Sequence, residues 1–127
     1  VQFEEEDEPV YVNIKSAVFG GKTQKDDISK GVGLKNFYEA DINRDFFVAT
    51  FFINFNEDMT IEIVKCTAFP IAWIPDVYVN PSNNGNLQSS KYKNLDDAIK
   101  RTSQDFFEEF KIAMEVATQK KHKKLNP

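Results

Sequence analysis

The chain has 127 residues, 41% hydrophobic and 28% charged, with a net charge of −4. That composition describes one soluble globular domain, long enough to bury a core without disulfides or metal. The acidic balance argues against nucleic-acid binding, the lone Cys66 rules out an intrachain disulfide framework, and no apolar run reaches the ~18 residues of a transmembrane helix.

The charge is uneven. Residues 1–64 hold 13 acidic and 6 basic side chains, whereas residues 65–127 hold 7 and 10. Residues 1–8, with their Glu4–Glu8 acidic run, read as a flexible lead, and residues 120–127 as a solvated basic tail. The globular core is expected over 9–119. The first residue is Val1, consistent with a trimmed chain or a removed leader, so cytoplasm and periplasm both fit.

In chain order, Val10, Val12 and Ile14 alternate with Tyr11, Asn13 and Lys15, which predicts a strand running to Val18 or Phe19. Gly20-Gly21 ends it, and the polar stretch from Lys22 to Gly33 reads as a loop, with Asp27–Lys30 too short to assign as a helix. Leu34, Phe37 and Tyr38 suit a helix as well as a strand. A phenylalanine-loaded hairpin follows, with strands at Phe46–Phe55 and Met59–Cys66 about an Asn56-Glu57-Asp58 turn. Both faces of Phe46–Phe55 are largely apolar, which predicts a central strand covered on both sides over its first half.

Pro70, Pro75 and Pro81 make the segment from Ala68 to Asn80 irregular, with a short edge strand at Val77–Asn80. Pro81 to Ser90 reads as a polar mobile loop. Asn94 is a helix cap, and Leu95, Ile99, Thr102, Phe106, Phe110, Ala113 and Ala117 step along one face of a helix of about six turns. Phe107, Ile112 and Val116 widen that stripe.

Catalytic chemistry is mostly excluded. His122, the single histidine, lies in the lysine tail, so no Ser-His or Cys-His pair is expected. Cys66 reads as a buried, inert thiol. Gly20-Gly21-Lys22-Thr23 fails the phosphate-loop spacing because Ser16 stands where a glycine is needed. Asp41, Asn43 and Asp45 imitate the start of a calcium loop, but Phe46 and Phe52 occupy its glycine and glutamate positions. Glu39, Asp41 and Asp45 could still form a weak surface cluster. The residues predict no catalytic set, no metal site and no cofactor.

The apolar segment from Ala68 to Tyr78 reads in two ways. It is either a loop over one end of the core with Trp73 beneath it, or a preformed contact surface built from Phe69, Ile71, Trp73, Ile74 and Tyr78. The expectation is therefore an α+β domain: a small, mostly antiparallel sheet with a long C-terminal helix packed on one face. Its expected role is a non-enzymatic protein-interaction module, part of a larger assembly or a homo-oligomer. The alternative is a small apolar-ligand-binding domain or a carboxylate-based enzyme with a pocket between sheet and helix.

Overall fold

The computed structural model describes residues 2–5, 8–21, 25–82 and 85–125. Strands β1 (Gln2–Glu5), β2 (Glu8–Val18) and β3 (Asp26–Ser29) precede helix α1 (Gly31–Ala40). Strands β4 (Phe46–Phe55), β5 (Ile61–Pro70), β6 (Tyr78–Val79) and β7 (Leu87–Ser89) follow, and helix α2 (Ser103–Leu125) closes the chain. Short 3-10 turns lie at Ile71–Trp73 and Leu95–Asp97.

The class is α+β, as expected, but there are two sheets. The larger has the order β1-β2-β4-β5, and the smaller β3-β7-β6. All pairings are antiparallel except β2 with β4, which run parallel with Tyr11 opposite Phe46 and Val18 opposite Ile53. A parallel pair needs a crossover. Here the crossover carries β3 and α1.

The core lies on one side of the larger sheet. Alternation places Phe46, Val48 and Thr50 of β4 on that side, with Phe69 of β5 opposite Val48. Phe37 of α1 meets Tyr11 and Phe46 edge to face, with ring centroids 4.8 and 5.4 Å apart. Tyr38, Phe106 and Phe110 continue the cluster, joined by Ile28 of β3 and Leu87 of β7. Helix α2 packs on β6, the Ile71–Trp73 turn and α1.

Several expected boundaries move. Gln2–Glu5 is a strand paired with the start of β2, not an unpaired lead. Asp26–Ser29 is strand rather than loop, because Ile28 plugs the core and its carbonyl accepts from Asn13 Nδ2 at 2.6 Å. Leu87–Ser89, expected in a mobile loop, is a buried strand at the centre of the smaller sheet. Helix α2 starts at Ser103, where the Thr102 hydroxyl accepts from the Asp105 amide at 3.1 Å. Asn94 does cap, but it caps only the Leu95–Asp97 turn, and Leu95 and Ile99 are exposed. The helix then runs through the expected basic tail as far as Leu125.

Tight turns account for two glycines. Gly20 has φ +77° where β2 ends, with the Gly21 amide on the Val18 carbonyl at 3.0 Å. It is a plain reversal, and residues 22–24 lie outside the described residues. At the start of α1, a Cβ on Gly31 would stand 2.1 Å from the Gly85 carbonyl, so this approach is open to glycine alone.

Candidate interaction surface

The Ala68–Tyr78 segment is an internal lid. Phe69, Ile71 and Ile74 are 0% exposed, and Trp73 and Tyr78 are half-buried. β5 continues through Phe69 to Pro70, since β5 is an edge strand and proline is tolerated there. Arg101 then pins the turn. Its Nε donates to the Ala72 carbonyl at 2.7 Å, an Nη donates to the Ile74 carbonyl, and another pairs with Glu109 at 2.9 Å. Asp76 closes the far end. Burial pushes its carboxyl up, but donors from Ser89 and Ser90 outweigh this and hold it below the ordinary value. In this conformation Phe69, Ile71 and Ile74 present no surface, because they build the core.

Val32 of α1 and Ile112 and Val116 of α2 are exposed, the last two lying outside the buried stripe they were expected to widen, but the longest run of exposed apolar residues lies on the second side of the larger sheet. β2 contributes Ile14, Ser16 and Val18 to it, and β4 contributes Phe47, Ala49, Phe51, Ile53 and Phe55. From β5 come Ile61, Ile63, Cys66, Ala68 and Pro70. Ser16 is the one polar side chain among them. Ile14 and Val18 are 50% and 52% exposed, and Phe55, Ile61 and Ile63 are 59–65% exposed. Phe47, Ala49, Phe51 and Ile53 are partly screened by their neighbours within the sheet, yet none of them packs against the core. The expected cover on both sides of β4 is therefore absent among the described residues. The elements that pack on this sheet, α1 and β3, lie on the core side.

Cys66 shares this face and is exposed, not buried as expected, because β5 is the edge strand. A bulge between Phe52 and Ile53 inserts Val64, which keeps Ile63 and Ile61 on the same face as Cys66. Met59, expected in the strand, sits in the hairpin turn at φ 69° and is 93% exposed.

The covered side is the more polar of the two. Thr50 and Thr67 face each other there, and their buried hydroxyls have no hydrogen-bond partner among the described residues. Asn13 and Lys15 share that side. A soluble antiparallel sheet ordinarily shows the opposite arrangement, apolar inside and polar outside.

Several concave sites indent the described residues, among them the following two. A cavity of about 360 Å³ lies between the start of β4, the Ile71–Trp73 turn and the start of α2, lined by Tyr38, Asp45, Phe46, Trp73, Arg101 and Ser103. The Tyr38 hydroxyl is buried beside Ser103 but out of hydrogen-bonding geometry, and burial pushes its phenol above the ordinary value. A groove of about 580 Å³ near Gly20 and Gly21 is lined by Lys65 as well as by Asp26 and Lys93, which form an ion pair at 3.2 Å. Among the described residues, no three His, Cys, Asp or Glu side chains gather as metal ligands, and no helix is long and apolar enough to cross a membrane. The Glu39, Asp41 and Asp45 cluster does not assemble.

Compared with known protein families, the chain matches none. No curated protein is significantly similar to it. The reading of function rests on the surface itself.

Proposed function

We propose that the protein is a non-enzymatic interaction module that works inside an assembly, with the bare side of the larger sheet as its contact surface. One observation carries this reading: the sheet face formed by Val10–Val18, β4 and β5, apolar except for Ser16 among the described residues, lies open while buried threonine hydroxyls occupy the covered side. Contiguous apolar surface beyond a few hundred Å² on a soluble chain marks an interaction site.

Cys66 reports on this surface. If the face is covered in the native assembly, maleimide labels Cys66 much more slowly in gently lysed cells than in the unfolded chain. Equal labelling rates in the two states would overturn the reading.

The second reading, a small apolar-ligand site, is favoured by the cavity beneath Trp73 and its unpaired Tyr38 hydroxyl. Asp45 is the carboxylate among its lining residues, and an acid–base pair needs two. A thermal-shift screen with small amphiphilic alcohols and amides tests it. A midpoint rise that Tyr38→Phe removes supports a ligand.

A further inference from the structure

We infer that the occupant of the bare face is a second copy of this chain, packed sheet against sheet about a two-fold axis. The inference rests on the interaction-module reading and names its partner.

The first argument is self-complementarity. A two-fold contact sets a surface against itself, so every fixed charge or donor must find a match within the same patch. From Val10 to Val18 of β2, and along β4 and β5, this face has among the described residues no charge and only the Ser16 hydroxyl, so that stretch meets the condition without special arrangement. It also has nothing to choose a differently charged partner, since Glu62 and Lys65 stand on the opposite side of β5, across from Asn54 and Phe52. Two chains of net charge −4 thus meet through their neutral sides.

The second argument is area. β2, β4 and β5 present about 30 Å of strand length over about 14 Å of width, or about 400 Å² in projection. Side-chain relief raises the accessible area toward the ~600–800 Å² per subunit that a specific dimer buries. The apolar character fits obligate homodimers, whose interfaces resemble a divided core. Phe47, Phe51 and Phe55 form an aromatic row along the middle strand, where an interface concentrates its binding energy. Two such sheets would stack about 10 Å apart with strands about 30° from alignment, completing a sandwich that one chain leaves half-built.

Sedimentation velocity on the 127-residue chain tests this directly, with Phe51→Glu and Ile63→Glu as variants. The expected result is a species of twice 14.6 kDa for the parent chain and single mass for both variants, with unchanged circular dichroism. The dissociation constant rises about a hundredfold or more, the loss typical of a central anchor. Should Phe51→Glu fail to fold, Ile63→Glu, at a 65% exposed position on the edge strand, carries the test. A parent chain that stays monomeric up to about 200 µM overturns the inference, since an obligate pair forms well below that. A dimer untouched by both variants also overturns it.

A photoreactive residue at position 51 separates the two levels of the argument. If the chain is monomeric and the probe captures a different protein in the cells that make it, the second copy falls and the module stands. If the chain is monomeric and the probe captures no protein, both fall.

Discussion

Both sides of β4 carry phenylalanine and aliphatic residues, and over the first half of the strand they differ in cover. On one side Val48 and Thr50 are fully buried beneath α1 and β3. On the other, Phe51 and Ile53 have only their neighbours in the sheet, and Phe55 stands in solvent. Topology makes the difference. The crossover from β2 to β4 places β3 and α1 on one side, and the chain beyond β5 returns to that side through Ile71–Trp73 and α2. Hydrophobic pattern alone shows that a face wants burial, and the connections decide whether the chain itself can supply it.

Paired substitutions test the contrast most sharply. Phe69→Ala, which empties a fully buried position, costs about 3–5 kcal/mol, whereas Ile63→Ala in the dilute monomer changes stability by no more than about 0.5 kcal/mol. Urea unfolding at matched concentration reads both, and a comparable loss at Ile63 in a dilute monomer would mean the bare side is covered after all.

Arg101→Ala comes next. It leaves the Ala72 and Ile74 carbonyls without their charged donor and destabilises by about 2–3 kcal/mol. Proteolysis then begins within residues 70–76. Gly31→Ala probes how tightly the covering layer is seated. Its methyl meets the Gly85 carbonyl, and the forced shift costs about 1–3 kcal/mol, read as a drop in thermal midpoint. The smallest effect has the opposite sign. Met59→Gly relieves a left-handed backbone at the bare end and raises stability by about 0.5–1 kcal/mol, visible as a higher urea midpoint.

Much of the fold was legible where local pattern and final environment agree. The hairpin around Asn56–Thr60 and the stripe from Phe106 to Ala117 follow directly from apolar spacing. The strands β3 and β7 were not legible. Each is three or four residues long and rich in Asp, Gln and Ser, so a strand there exists only because a partner pairs with it. Local pattern starts α2 eight residues early because Asn94 is a true cap, but of a single turn. The Ala68–Tyr78 segment stands out for its aromatic, proline-stiffened character, yet stiffness serves a lid as well as an interface. Ile14, Ile61 and Ile63 could not be recognised as surface, since nothing in a strand's own alternation tells which of two apolar sides is left open. The one hint was that Phe46–Phe55 carries more hydrophobic faces than one helix can hide.

The extra residue Val64 has a consequence for how such molecules accumulate. A β5 paired straight through would set Glu62 against Phe55 and bring a carboxylate among the phenylalanines. The kink instead absorbs one position and warps the outer margin of the sheet, and a warped margin is a poor template for a further strand. Removing Val64 would keep the remaining partners in register while flattening that margin. The shortened chain would then be free to add neighbours edge on edge, giving filaments that the warped margin of the natural chain disfavours.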